Sequence, residues 1–201
     1  MKAVLASSNP GKLRELAAIL EPFGYELVPQ SALGIDTPAE TGTTFAENAL
    51  LKARHASRLA GLPALADDSG IEVDALGGRP GVYSARFAGE HATDSANVNK
   101  MLEELRNVPS ERRTARYQCV IAFMRTADDN APLIAHGSWE GRILMQPRGT
   151  GGFGYDPIFQ PAGLDVSAAE LPAAQKNARS HRGEALRALA RLLRQRGSPQ
   201  V

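Results

Sequence analysis

Cysteine is almost missing from this chain: its 201 residues hold one, Cys119. A single thiol excludes an internal disulfide and disfavours a cysteine-built zinc site. It lies in the apolar run Cys119–Phe123 and is expected to pack there. An excess of one charge sign is missing as well, with 23 Lys and Arg against 22 Asp and Glu and a net charge of +1. That balance argues against a nucleic-acid partner, which calls for a basic face; any phosphate must be met by local lysines, backbone N–H groups or a metal. No apolar stretch approaches the ~20 residues that span a bilayer, and Met1-Lys-Ala-Val-Leu-Ala lacks the apolar region of a signal peptide. The chain is therefore expected to be soluble and cytoplasmic, without a membrane partner. Repeats and low-complexity segments are absent too. What the chain does have is 43% hydrophobic residues, enough for a core and against global disorder. Its length fits one large domain or two lobes of an α/β fold.

The most informative stretch is Gly149-Thr-Gly-Gly-Phe-Gly-Tyr-Asp-Pro157. Its glycines permit positive φ and close approach. Phe153 and Tyr155 offer flat apolar faces, and Asp156 offers acceptors. A turn presenting rings and an acid suits a planar heterocycle such as a nucleobase; a glycine-rich turn over core aromatics is the equal alternative.

Periodicity predicts strands at 2–6, 25–28, 63–66 and 71–73, and longer ones at 113–126 and 131–144. Asp128-Asp-Asn130 is expected to close the last pair as an antiparallel hairpin. Helices are expected from Pro10 to Glu21, from a cap at Thr44 with Glu47 as its capping box to Gly61, at 94–107 and at 183–196. Residues 30–42 read as a loop and 197–201 as a disordered tail. The mixture of β-α-β units with a long hairpin predicts an α/β fold: a mixed, twisted central sheet flanked by helices.

Four segments could carry chemistry. Ser7-Ser-Asn-Pro-Gly-Lys12 joins a strand to a helix, and a helix N-terminus attracts anions. Lys12 opposes the macrodipole there, which a bound phosphate would explain; a capped helix with a solvated lysine is the alternative. Asp67-Asp68, followed by Ser69-Gly70, is expected at the carboxyl end of a strand. Adjacent carboxylates repel unless a cation offsets them, and oxygen-only donors select magnesium or manganese over zinc; the run is also ordinary turn chemistry. Glu40 precedes a helix start and Lys52 lies two turns into that helix. Each is either directed to the same site or an ordinary helix-end acid and solvated lysine. Finally Lys176-Asn-Ala-Arg-Ser-His-Arg182 places Lys176, His181 and Arg182 before the last helix, either as donors to a ligand or as solvated charges behind Ser180, a cap for that helix.

Taken together, these segments resemble the inosine triphosphate pyrophosphatase family. The matching motifs are Ser7 to Lys12 with Glu15, Glu40-Thr-Gly, Phe45 to Asn48, Lys52-Ala, Asp67-Asp-Ser-Gly70, Leu76-Gly-Gly-Arg-Pro-Gly81 with Tyr83-Ser-Ala-Arg86, Gly151 to Pro157 and Ser180-His-Arg182. They occur in the family's order across residues 2–196. Ser8 departs from the glycine many members carry, and leaves the backbone N–H in place. The resemblance implies one pyrophosphatase domain over 1–201, with two lobes and an active-site cleft between them, working as a homodimer with Mg2+ (Mn2+ as substitute). It implies hydrolysis of ITP, dITP and XTP to the monophosphate and pyrophosphate.

The resemblance also implies roles. Ser7, Ser8, Asn9, Pro10, Gly11 and Lys12 hold the triphosphate, with Ser69 beside them. Glu40 and Asp68 hold the metal with Asp67 assisting, and Asp68 accepts the proton from the attacking water. Lys52 and Lys176 offset charge on the leaving group. Phe153, Gly154, Tyr155 and Asp156 receive the base, with Phe153 stacking on it and Asp156 accepting from a ring N–H. His181 and Arg182 donate to the 6-keto oxygen. Two rivals share parts of the pattern: the related septum-formation family of nucleotide pyrophosphatases, acting on pyrimidine or modified nucleotides, and a non-catalytic nucleotide sensor. The first lacks the Phe-Gly-Tyr-Asp and Ser-His-Arg elements. The second has no need of Glu40 and Asp68 together.

Overall fold

The computed structural model describes residues 1–7 and 10–196, with the side chains at 10–12, 14 and 15 outside the description. Strand β1 (Lys2–Leu5) leads to helix α1 (Pro10–Leu20) and strand β2 (Glu26–Pro29). Helix α2 (Phe45–Ala60) and strand β3 (Ala64–Val73) follow, then α3 (Asp94–Glu104), β4 (Thr114–Met124), β5 (Leu133–Ile143), β6 (Phe159–Pro161), α4 (Ala173–Arg179) and α5 (His181–Arg196). Among the described residues the six strands form one sheet in the order β2-β1-β3-β4-β5-β6. β1 runs parallel to both β2 and β3, and β5 runs antiparallel to β6. Neighbouring β4 and β5 are joined by the short segment 125–132, which leaves room only for antiparallel pairing. The sheet is therefore mixed, as the sequence predicts.

The chain divides into two compact units. The first comprises residues 1–68, 119–137 and 185–201. Its core gathers Leu5, Leu16, Leu20, Leu65, Ile121, Phe123, Leu189 and Leu193, with Cys119 buried among them. α2 lays a face of small residues toward this unit: Ala49, Ala53 and Ala56 are fully buried. The second unit comprises 69–118 and 138–184. Its core gathers Ile71, Val98, Met101, Tyr117, Trp139, Ile158 and Phe159. Here Arg113 is buried, and among the described residues no carboxylate pairs with it; its guanidinium donates to the carbonyls of Leu105 at 2.6 Å, Val108 at 2.9 Å and Leu144 at 3.2 Å. Two of these carbonyls lie just beyond the end of α3, where a cation is favoured. Burial pushes the Arg113 pKa down.

The structure departs from the sequence reading in four places. β3 runs unbroken through Asp67-Asp-Ser-Gly70, where two strands separated by a turn were expected. β1 pairs with this strand only as far as Leu65, and with β4 as the neighbour on its other side ladder pairing overrides local turn preference. Asp67 and Asp68 are thus inside a strand and not at its end. α5 begins at His181 and not at residue 183. α4 and β6 were not anticipated: α4 buries none of its residues and so shows no apolar stripe, and β6 is three residues long. The expected tail at 197–201 lies outside the described residues. No helix among the described residues is long and apolar enough to cross a membrane.

The expected turn at Asp128–Asn130 is held by Asp129. Its carboxylate accepts from the Arg125 backbone N–H and Nε, both at 3.1 Å, and from the Ala131 N–H at 3.0 Å. Arg125 leads the causes that hold the Asp129 carboxyl down to about 2. A folded-state pKa below the unfolded value means the stabilisation is complete above the ordinary carboxylate range and fades as pH falls through it. Asp129→Asn should therefore lose about 1 kcal/mol at neutral pH, a value kept modest because Arg125 is exposed. Denaturant unfolding across a pH series should show that gap narrowing below pH about 4. A gap that stays constant down to the acid limit would contradict this origin.

Candidate active site

Because β1 has parallel partners on both sides, the chain leaves it through α1 toward β2 and returns through α2 to β3 on the other side. Such a reversal opens a crevice at the carboxyl ends of the strands. β1 ends at Leu5, paired with Leu65, and the Ala6 N–H still reaches the Leu65 carbonyl at 2.8 Å. β3 continues past this point, carrying Asp67 and Asp68 beyond the last rung. Half-buried Ser7 follows β1 on the same side. Ser8 and Asn9 lie outside the described residues; Pro10, Gly11 and Lys12 form the first turn of α1, where a phosphate site was expected.

α2 brings the rest of this cluster together. Its N-terminus is pinned by a reciprocal capping box: Thr44 Oγ1 accepts from Glu47 N–H at 3.2 Å, and Glu47 Oε2 accepts from Thr44 N–H at 3.1 Å and Thr43 N–H at 2.7 Å. Asn48 and Lys52 then project one above the other, four residues apart. Lys52 Nζ donates to Glu40 Oε1 and to Asp68 Oδ1, each at 2.8 Å. Asn48 Nδ2 donates to the other Asp68 oxygen at 3.3 Å, while Asn48 Oδ1 accepts from the Gly42 N–H at 2.8 Å. A Cβ on Gly42 would lie 2.7 Å from Asn48 Oδ1, so the loop bearing Glu40 is seated directly on Asn48. Lys52 thus brings Glu40 and Asp68 together: their oxygens share one nitrogen and lie no farther apart than twice that hydrogen-bond length.

Electrostatics follow from burial. Asp68 is 7% exposed, and burial raises its pKa above the ordinary carboxylate value against the opposing pull of Lys52 and Asn48. Burial alone would lower Lys52, but Asp68 and Glu40 outweigh it and hold the ammonium above the usual lysine range. Asp67 is also buried; neighbouring strand residues project to opposite sides. Among the described residues no three acids, histidines or cysteines gather into a metal site. The Glu40–Asp68 pair is a two-carboxylate, oxygen-only donor set. That fits magnesium, which commonly takes one or two protein carboxylates and completes its shell with water and substrate phosphate.

The second unit holds the expected base-recognition residues. Phe153 is 59% exposed, and Lys176 Nζ lies over its ring, 4.7 Å from the centroid. Asp156 is buried: Oδ2 accepts from the Phe153 N–H at 2.8 Å and from Lys176 Nζ. Lys176, expected at the leaving group, is thus engaged with the base loop. Tyr155 is buried and donates to the Ser84 carbonyl at 2.8 Å, so it anchors the loop from beneath. The Gly154 N–H donates to Asp94 at 2.6 Å. His181 is buried and stacks on Tyr117, centroids 4.7 Å apart and planes within 10°. Ser180 caps α5 as expected, accepting from the Gly183 N–H at 3.2 Å. Arg182 and Ser69 are half-buried on α5 and β3.

Sequence reasoning gave no role to Asn48, Asp94 or Tyr117. Asn48 falls in a quoted motif, and its spacing of four from Lys52 was the available signal. Asp94 and Tyr117 show their roles only through contacts distant in sequence.

The chain belongs to the Ham1 family, whose model matches residues 3–192. The dITP/XTP pyrophosphatase of Shigella flexneri is 56% identical over 193 residues, covering 96% of this chain and 98% of that protein. The dITP/XTP pyrophosphatase of Escherichia coli strain K12 is 55% identical with the same coverage. Among solved structures, a HAM1 protein from Coxiella burnetii has a TM-score of 0.92 at 48% identity, covering 97% of this chain and 99% of that one. A nucleoside-triphosphatase / dITP/XTP pyrophosphatase from Mycobacterium abscessus has a TM-score of 0.78 at 45% identity, covering 94% and 97%.

Gly152 shows how tightly the base loop is specified. It adopts φ +75°, and a Cβ there would fall 2.1 Å from Asp156 Oδ2. Gly152→Ala should expel that carboxylate from its bond to Phe153 and lose about 1–3 kcal/mol of local stability. Limited proteolysis should cut the 149–155 segment faster than in the wild type. An unchanged cleavage rate would show that the contact does not hold the loop.

Proposed function

We propose that this chain hydrolyses deaminated purine nucleoside triphosphates (ITP, dITP and XTP) to the monophosphate and pyrophosphate. The observation that carries the reading is the Glu40–Lys52–Asp68 cluster beyond the carboxyl end of β1, in a chain whose relatives carry the name dITP/XTP pyrophosphatase. Glu40 and Asp68 are the residues that would hold Mg2+, with Asp67 assisting and Mn2+ as a substitute; the ion would supply neutralisation of phosphate charge and activation of water.

The side chains have these parts. Ser7, Ser8, Asn9, the first turn of α1 and Lys12 receive the triphosphate, with Ser69 adding a hydroxyl. Asp68 accepts the proton as water attacks the α-phosphorus and pyrophosphate departs. Burial raises its carboxyl in the metal-free protein; a bound ion would depress it and keep the carboxylate ionised to take that proton. Lys52, held as an ammonium by its two acids, faces the negative charge that grows on the leaving oxygen. In the second unit the exposed ring of Phe153 stacks on the base. Asp156 and Lys176 fix the loop that presents it through Asp156 Oδ2, and Asp156 accepts from a ring N–H of the base. Donors from His181 and Arg182 meet the 6-keto oxygen and reject the amino group of adenine, a mismatch able to discriminate by roughly 10⁴-fold. A homodimer in the cytoplasm is part of the same reading and rests on the family resemblance.

A sensor would bind nucleotide and release nothing. The paired carboxylates favour the enzyme, because binding alone does not need a base held by a lysine. Pyrophosphate release across a panel of dITP, XTP, GTP and ATP, with and without Mg2+, tests the reading. Strong preference for dITP and XTP, dependent on the ion, is expected; equal efficiency on ATP would overturn the base assignment. Asp68→Asn should lose about 10³-fold or more in turnover with an unchanged circular dichroism spectrum. Near-wild-type turnover would remove Asp68 from the chemistry.

A further inference from the structure

Lys52 stands where a cation belongs. Its ammonium is 2.8 Å from one oxygen of Glu40 and 2.8 Å from one oxygen of Asp68, on a side chain only 8% exposed. These are the two carboxylates assigned above to the divalent ion, so ammonium and ion contend for the same oxygens. The ammonium cancels half of the charge that Glu40 and Asp68 would present to a divalent ion. With the ammonium withdrawn, the pair carries the full complement.

We propose that Lys52 is a resident counter-cation that suppresses metal binding by the substrate-free protein and yields its place when nucleotide phosphates draw it away. The inference rests on the reading of Glu40 and Asp68 as metal ligands. An ammonium donates and cannot accept, so a triphosphate offers it new acceptors without altering its charge. A lysine on a flexible four-carbon stem can swing between two sets of acceptors. The carboxylates need not follow it. Asn48, one turn earlier on α2 and fully buried, keeps hold of the second Asp68 oxygen and of the Gly42 N–H. Glu40 and Asp68 therefore stay placed as the ammonium leaves. Metal and nucleotide then bind as coupled events, each raising the affinity for the other by the same factor.

The test is a titration of substrate-free protein with Mn2+, with the free ion read by electron paramagnetic resonance. Wild type should bind weakly. Lys52→Met should bind at least ten times more tightly, and Lys52→Arg, which keeps the charge, should stay as weak as wild type. The gain should vanish in Lys52→Met combined with Asp68→Asn, which places it at this pair of acids. Mn2+ binding by Lys52→Met that is no tighter than wild type, in protein with a single cooperative unfolding transition, overturns the proposal. Should that variant fail to fold, Lys52→Gln carries the same expectation and the same refutation. The two readings fail separately: a wild type that releases no pyrophosphate from dITP defeats the proposed function, whereas an active wild type with unchanged Mn2+ binding in the Lys52 variants defeats only this inference.

Discussion

A buried ammonium shared by two carboxylates is the constraint on which the first unit's site depends. Asp68 and Lys52 are each nearly removed from water, and neither charge is tolerable there alone. Together with Glu40 they form a group whose members define one another's positions. The two acids hold the lysine charged against burial, and the cation between them offsets their repulsion. Removing one partner leaves buried charge uncompensated unless another cation takes its place. The same arrangement gives the site its chemical character: an oxygen-donor pair that suits a hard cation, beside a carboxyl whose pKa is lifted by burial.

The backbone makes this cluster possible by simple means. Parallel pairing of β1 with β2 and β3 sets the reversal of chain direction. The extra length of β3 carries Asp68 past the end of its neighbour, and the capping box fixes where α2 begins, hence where Asn48 and Lys52 point. In the second unit the work is divided differently. Asp156, Tyr155 and Asp94 are spent on holding a glycine-rich loop from within, and the exposed surface they present is the ring of Phe153. A loop fastened by buried polar groups can hold an aromatic face toward solvent without collapsing onto it.

Much of this was legible in the sequence because it rests on local chemistry. Thr44 with Glu47 marked the start of α2, Gly61 its end, and Asp128–Asn130 the turn between the long strands. The pairing of Glu40 with Asp68 was expected from the chemistry of hard cations and the family resemblance. What was not legible depends on partners far along the chain. Asp67-Asp-Ser-Gly70 looks like a turn until the fold shows it continuing a strand. Lys52 reads equally as a site lysine or a solvated helix lysine until two acids reach it, and Asn48 as a polar helix residue until Gly42 and Asp68 close on it. The family resemblance directs Lys176 to the leaving group, and its bond to Asp156 is visible only in the fold. α4 was missed because a helix that buries nothing leaves no periodic trace.

The proposed reaction has water attacking the α-phosphorus, with pyrophosphate leaving. The most direct measurement is turnover of dITP in water enriched in oxygen-18, with the products separated and weighed by mass spectrometry. The account predicts that the label enters the monophosphate and leaves pyrophosphate unlabelled. Label in pyrophosphate, or release of orthophosphate in its place, would contradict it.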